Sequence, residues 1–279
     1  EGLTEIFARI GFAQDWVDEL VGLRRNESTK PAEPVFDADL ARRAYAIYAR
    51  DFEEFWESEA RERVTWFEPF SELLDWQPPY AKWYLGGKLN VCFNCVDRHV
   101  EAGNGSKVAY HWEGEPEGDG RTITFSDLQR DVVRLANALK TIGVEKGTPV
   151  GIYLGMVPEL PIAMLACARL GAPHTVVFGG FSAESLAGRL NDMGCEVLIT
   201  QDEAWRKGAP VPLKRNADDA LADSPSVTKA IVFRRTGNEV PMLEGRDEWW
   251  HDLVDGESED AASCPCEPMD SEDLLYLLY

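Results

Sequence analysis

From about residue 106 onward, short apolar runs alternate with amphipathic stretches of about 10–15 residues, and this alternation constrains the fold more than any other feature. Residues 108–112 read as a strand, 113–120 as a polar hairpin loop and 122–125 as a second strand. Ser126 fits a helix N-cap, and Gln129 three residues later completes a capping box. Leu128, Val132, Leu135, Leu139 and Ile142 fall on one helical face, which stops at Gly143. Residues 150–154 read as a buried strand. Pro158 or Pro161 opens the next helix, which ends near Gly171. Residues 175–178, 197–200, 230–233 and 274–279 supply further strands, and 183–193 a helix followed by Gly194. Strands and helices in this order imply right-handed βαβ units, hence an α/β fold with a mostly parallel sheet and flanking helices. Ligands of such sheets sit beyond the carboxyl ends of the strands. That rule directs attention to Gly179-Gly180 and to the segment after Thr200.

The part before this alternation has a different character. Residues 1–35 start with an amphipathic helix and end in Pro31 and Pro34, as an arm or linker would. Residues 37–65 read as helix, with Leu40, Ala44, Ile47, Tyr48, Phe52, Phe55 and Trp56 at helical spacing. Residues 66–100 are aromatic and irregular, as in a layer packed on a larger domain. A base-stacking platform would need a positive groove as well, and Lys82, Lys88 and Arg98 are the few basic residues here. The expected organisation is an arm at 1–35, a helical and irregular N-terminal region at 36–100, and an α/β domain at 101–279. Glu at position 1 and the apolar run 274–279 lead us to expect that both ends are cut.

Charge excludes several classes of partner. The 28 basic and 49 acidic side chains give a net charge of −21, which repels nucleic-acid phosphates and anionic lipid. Among the basic residues, 19 are Arg and 9 Lys. Acidic excess with scarce Lys suits a cytoplasm of high salt, where self-repulsion is screened. Six cysteines in 279 residues are too sparse for a disulfide scaffold. No signal peptide opens the chain, and the apolar stretch 160–181 is interrupted by Arg169, Pro173 and His174. The expected location is a reducing cytoplasm.

Three segments could carry chemistry. In Phe178-Gly179-Gly180-Phe181-Ser182, two glycines after a strand let backbone approach a ligand, and Ser182 can cap a helix whose N-terminus favours an anion. A tight strand-to-helix turn would need the same small residues. The three-glycine dinucleotide fingerprint is absent, since position 183 is Ala. The segment 205–215 holds Arg206, Lys207, Lys214 and Arg215, a positive island in an acidic chain. Arg suits a phosphate, but the neighbouring Asp202, Glu203, Asp218 and Asp219 could equally pair with these cations. Cys92, Cys95 and His99 have the spacing of half a zinc site, yet Cys264 and Cys266 are poorly spaced and distant complements, so packed thiols and no metal are expected. No nucleophile triad or acid/base pair stands out, and His174, in an apolar strand, reads as a packed residue.

Three longer stretches resemble AMP-forming acetyl-CoA synthetases of the adenylate-forming acyl-CoA ligase superfamily. They are Trp83-Tyr84-Leu85-Gly86-Gly87-Lys88-Leu89-Asn90 with Asn94-Cys95-Val96-Asp97-Arg98-His99, then Met164-Leu165-Ala166-Cys167-Ala168-Arg169 with residues 177–182, and Pro212-Leu213-Lys214-Arg215-Asn216 with Asp218-Asp219-Ala220-Leu221. The resemblance runs from about residue 45 to Tyr279 and points to the short-chain branch; the acidic surface is similar to that of a haloarchaeal member. It implies the N-terminal part of the adenylate-forming large domain, from a ligase that converts ATP, acetate and CoA to acetyl-CoA, AMP and pyrophosphate through acetyl-AMP. ATP and CoA would be substrates. The Mg²⁺ ligands, the ATP-phosphate loop, the catalytic lysine and the acyl pocket would lie outside this segment. Within it, the resemblance implies part of the CoA nucleotide site. Arg206, Lys207, Gly208 and Ala209 would form a basic loop at the 3′-phosphate and adenine. Phe178, Gly179 and Gly180 would lie beside the adenine, and Val211 would be an apolar neighbour. Ala209 departs from the family, which often has a second cation there, and Lys207 cannot reproduce an Arg fork. The rival readings are a propionyl-CoA synthetase and a truncated, non-catalytic CoA-binding protein.

Overall fold

The computed structural model describes residues 52–279. The expected arm at 1–35, and Leu40, Ala44, Ile47 and Tyr48 of the expected first helix, lie outside the described residues. The chain falls into two compact units, the first ending at Val64 and the second spanning Thr65–Tyr279. In the first unit, residues 52–63 are helical. Phe52 and Phe55 meet Trp56 edge-on, and the Arg61–Glu57 pair at 2.8 Å supports the exposed face.

The second unit is built on a six-stranded, wholly parallel sheet. Its strands, numbered with the others along the chain, are β6 (Val150–Tyr153), β7 (His174–Val176), β8 (Val197–Gln201), β11 (Lys229–Phe233), β12 (Asp247–Trp249) and β14 (Tyr276–Leu277). Their spatial order is β12-β11-β8-β6-β7-β14. The helices are α1 (Phe125–Thr141), α2 (Glu159–Leu170), α3 (Ala183–Met193), α4 (Leu213–Leu221) and the short α5 (Trp250–Val254). Side chains alternate across the sheet. Val150, Ile152, Val197, Ile199 and Ile231 pack with α1 and α2, whereas Tyr153, Leu198 and Ala230 pack with α3 and α4. The period of two therefore divides the core into two layers, one on each face of a sheet buried on both sides.

Local signals explain most boundaries. Gly171 takes φ 69° after α2 and Gly194 φ 66° after α3, the left-handed ending that glycine adopts without strain. Pro158 takes the cap position of α2, and Pro161 lies inside its first turn. The cap of α1 differs from expectation. Thr124, not Ser126, is the N-cap: its hydroxyl accepts the Asp127 N–H at 3.1 Å while the Asp127 carboxylate accepts the Thr124 N–H at 3.1 Å. Phe125 is already helical, so a cap two residues later has no free turn to close. Gln129 is used elsewhere, donating to Asp97 at 2.9 Å. Thr124→Ala should cost about 1 kcal/mol, the usual loss for a missing N-cap. Thr124→Ser should recover most of it, read as shifts in a thermal melt.

The aromatic stretch is more regular than its sequence implies. β1 (Glu72–Gln77) and β2 (Tyr80–Leu85) form an antiparallel hairpin, and β3 (Lys88–Leu89) pairs with β13 (Met269–Asp270). Trp66, Phe70 and Tyr84 pack mutually, edge-on or tilted, with centroids 5.1–5.5 Å apart. Aromatic density hid the period of two, because rings occupy both faces of this hairpin. The terminal strand is shorter than expected, with only Tyr276 and Leu277 paired to β7. β4 (Val108–Glu113) and β5 (Gly120–Thr124) form a second hairpin whose loop is polar, as expected. No helix among the described residues is long and apolar enough to cross a membrane.

Candidate functional site

The carboxyl ends of β6, β7, β8 and β11 open onto one cleft of about 370 Å³. Leu154–Val157 leave β6, Phe178, Gly179 and Gly180 follow β7, Gln201 ends β8, and Arg235 follows β11; all line the cleft. The remaining walls are Trp112–Glu115 from the β4 hairpin and residues 204–206 with Val211 from a small hairpin, β9 (Ala204–Arg206) and β10 (Ala209–Val211).

Close approach leaves little room for a side chain at either glycine. A Cβ on Gly179 would stand 3.3 Å from the Leu154 carbonyl. A Cβ on Gly180 would collide with Nη1 of Arg206 and stand 2.7 Å from the Phe178 ring. Arg206 therefore lies across the glycine pair, with its guanidinium carbon 5.3 Å from the Phe178 centroid. Tyr153, buried on β6, fixes this loop by donating its hydroxyl to the Phe181 carbonyl at 2.9 Å. Burial raises the pKa of that hydroxyl, which keeps it a donor. Ser182 caps α3 as expected, accepting the Ser185 N–H at 3.3 Å.

The β9–β10 hairpin turns on Lys207 and Gly208, with φ of 53° and 76°. Two successive positive φ values make the primed turn that matches strand twist, and Lys is an uncommon residue to hold one. Arg206 and Ala209 face each other as cross-strand partners. Of the four residues expected in the basic loop, Arg206 reaches the cleft wall, while Lys207, Gly208 and Ala209 sit exposed at the hairpin tip. The Gly208 N–H is held by the Glu115 carboxylate from the β4–β5 loop. Lys214 is not part of any anion site: it is buried against Asp218 at 2.6 Å and Asp247 at 2.9 Å. The positive island thus divides: Arg206 lines the cleft, Lys207 and Arg215 are exposed outside it, and Lys214 is buried in an ion-pair cluster.

Several cleft residues went unnoticed in the sequence. Arg235 pairs with Asp119 and stacks 5.3 Å above Trp112. Its loop is organised by buried Asp202, whose carboxylate accepts the backbone N–H groups of Arg235 at 2.8 Å and Gly237 at 2.8 Å. Trp112 donates its indole N–H to the Met156 carbonyl at 2.8 Å, and Gln201 accepts the Gly155 N–H at 2.8 Å. Gly155, Met156 and Arg235 directly follow strands, so the carboxyl-end rule would have found them had it been applied to β6 and β11 as well as β7 and β8. Trp112 and Glu115 carried no signal beyond a polar hairpin. The cleft presents exposed apolar surface, with Phe178 53% and Met156 77% exposed, beside two guanidinium groups. Such a lining suits a planar ring system joined to an anionic group.

Cys92, Cys95 and His99 do not assemble into a metal site. Cys95 is exposed, and the His99 ring lies 4.9 Å from that of Phe125. Cys92 is instead grouped with Asp97 and Cys266, the remote cysteine that spacing had disfavoured.

The family model described as AMP-binding enzyme matches residues 96–279. The chain belongs to this family of AMP-binding enzymes. Residues 41–95 match a second model, described as the acetyl-coenzyme A synthetase N-terminus. Among curated relatives, the chain is 54% identical over 235 residues to an acetyl-coenzyme A synthetase of Rubrobacter xylanophilus, covering 84% of this chain and 36% of the relative. It is 50% identical over 231 residues to the one from Methanothrix thermoacetophila, covering 83% and 35%. It is 52% identical over 252 residues to the one from Mycobacterium tuberculosis strain H37Rv, covering 89% and 38%. The chain therefore spans little more than a third of the length of these relatives.

Proposed function

We propose that the chain is part of an AMP-forming acetate–CoA ligase and that the cleft holds the nucleotide end of CoA. The position of Arg206 carries this reading: its guanidinium crosses Gly180 and stacks on Phe178 where the parallel strands end. That the relatives are acetyl-coenzyme A synthetases supports it. In the proposed reaction acetate attacks the α-phosphorus of ATP, giving acetyl-AMP and pyrophosphate. The CoA thiolate then attacks the acetyl carbonyl and expels AMP. Arg206 would take the 3′-phosphate, Phe178, Gly179 and Gly180 would lie along the adenine, and Val211 would close its apolar side. Lys207, with Gly208 at the turn, would add a point charge at the tip, and Ala209 adds none. Anchoring the nucleotide confines the thiol to the neighbourhood of the acyl-adenylate, an orientation effect. ATP, Mg²⁺ and acetate would be handled by parts of the relatives' length that this chain does not span. We place the reaction in a cytoplasm of high salt, where three anionic substrates meet an acidic protein without strong repulsion.

The test is turnover by the full-length protein in concentrated KCl with ATP, Mg²⁺ and CoA. Acetate should give acetyl-CoA with a kcat/KM above that for propionate. A well-folded protein that forms neither thioester would overturn the reading, and a preference for propionate would move it to the propionyl-CoA synthetase.

A further inference from the structure

On the far side of the sheet from α3 and α4, the α2 layer holds four thiols that the proposed ligase reaction does not use, Cys92, Cys167, Cys264 and Cys266, and two of them share one carboxylate. Cys92 lies in the helical segment that follows β3, and Cys266 in the loop before β13. Sγ of Cys92, a carboxylate oxygen of Asp97 and Sγ of Cys266 all lie within 4.8 Å of one another. Both thiols direct their protons to the same atom, Oδ2 of Asp97, at 3.7 Å from Cys92 and 3.5 Å from Cys266. Nη1 of Arg169 stands 3.7 Å from the Cys92 sulfur and 2.9 Å from that same oxygen. Cys92 is fully buried, whereas Cys266 is only half-buried and open to a small oxidant.

We propose that Cys92 and Cys266 form an oxidation site, a thiol pair that a peroxide converts to a disulfide joining the segment after β3 to the loop before β13. Cys266 reacts first because it is the accessible member. Its sulfur takes one oxygen from the peroxide, the O–O bond breaks, and sulfenic acid and water (or an alcohol) result. The Cys92 sulfur then attacks the Cys266 sulfur. The S–S bond forms as the S–O bond breaks, and the Cys92 proton passes through Asp97 to the leaving hydroxide, which departs as water. The Cys266 hydrogen bond, burial and the Asp97 charge push the Cys92 thiol well above its ordinary pKa, so Cys92 suits the resolving step better than the first attack. Asp97, which accepts from both thiols, is where that step needs a proton carrier.

A metal is the competing occupant of such a cluster. Arg169 argues against it. Both Asp97 oxygens are bonded by Nη1 of this buried guanidinium, at 3.0 and 2.9 Å, so a dication would sit against a fixed cation.

The experiment treats the full-length protein with hydrogen peroxide, blocks free thiols by alkylation, and maps peptides without reduction. A peptide joined through Cys92 and Cys266 is expected, with two fewer thiols titrating. Buried Cys167 and Cys195 should stay reduced, and exposed Cys95 should alkylate freely. The melting temperature should rise on oxidation of the native protein and fall back with a reductant. Cys266→Ser, at a half-buried position, should fold and lose both the cross-link and the rise. Three results would overturn the proposal: Cys92 and Cys266 unoxidised while Cys95 is oxidised, Cys266 joined to Cys264 instead, or a stoichiometric metal released from the untreated protein by a chelator.

Discussion

Asp97→Ala should destabilise the α/β unit by about 3–5 kcal/mol, because it strands a buried cation. Arg169 and Asp97 have only 2% and 5% of their side chains exposed. The pair is bonded twice, at 3.0 and 2.9 Å, and Gln129 completes the carboxylate at 2.9 Å. Arg169 in turn donates from Nε to the Cys264 carbonyl at 2.5 Å, so it ties α2 and the segment carrying Asp97 to the loop that ends in β13. Burial alone would lower the guanidinium pKa, but Cys266, Cys92 and Asp97 outweigh it and raise it. With Asp97 gone the guanidinium still keeps its proton, because its intrinsic pKa lies far above neutral, so the charge is left unpaired. A loss of this size should lower the melting temperature by roughly 6–20 °C in a unit of this length. The decisive comparison is Asp97→Leu with Arg169→Met. If the single change costs mostly through an unpaired charge, the double variant should be more stable than Asp97→Ala. A double variant at least as unstable would show that the pair fixes the loop by its hydrogen bonds and not by charge balance.

This ion pair also shows where sequence reading stops. Arg169 interrupts an apolar helix, and its sequence context says only that the stretch cannot span a bilayer. Its partner is 72 residues away, and nothing in spacing or composition joins them. The same holds for Cys92 and Cys266. Half a metal-type motif was legible, but the contact that matters depends on β3 pairing with β13, two two-residue strands without a pattern of their own. By contrast, five of the six strands of the sheet were legible, all but β12, whose Asp247–Trp249 is not an apolar run. Short continuous apolar runs and glycine stops act locally, and a parallel sheet buried on both faces allows few other arrangements. The N-cap was misplaced by two residues because Thr124 and Ser126 are both good caps. Only the backbone shows that Phe125 has already entered the helix.

The cleft was legible in part for the same reason. Residues following β7 and β8 were found by rule, whereas those following β6 and β11 obey the same rule and were passed over. Those brought in by the β4–β5 loop, such as Glu115, depend on where a hairpin folds back, which a polar loop sequence does not state.

Arg206→Ala should weaken CoA binding roughly 10–100-fold, if the cleft holds the CoA nucleotide as proposed. A hydrogen bond to a charged group contributes about 1.5–3 kcal/mol, and an Arg fork on a phosphate is such a bond. Arg206 is exposed and crosses Gly180 without supporting the core, so its removal should leave the fold intact. The loss should appear as a raised KM for CoA with kcat at saturating CoA nearly unchanged. ATP–pyrophosphate exchange with acetate, which needs no CoA, should be unaffected. Arg206→Lys should recover part of the affinity, since a point charge remains without the planar fork. Dephospho-CoA separates the two possible contacts. If Arg206 takes the 3′-phosphate, the variant and the native protein should bind dephospho-CoA alike; if it acts only by stacking with Phe178, the variant should lose affinity for both ligands. Ala209 gives the converse test. It pairs directly across the hairpin from Arg206, so Ala209→Arg should place a second fork beside the first and lower the KM for CoA. A higher KM in that variant would mean that the ligand phosphate does not lie over this hairpin, and Arg206 would then be a stacking residue of the Phe178 loop.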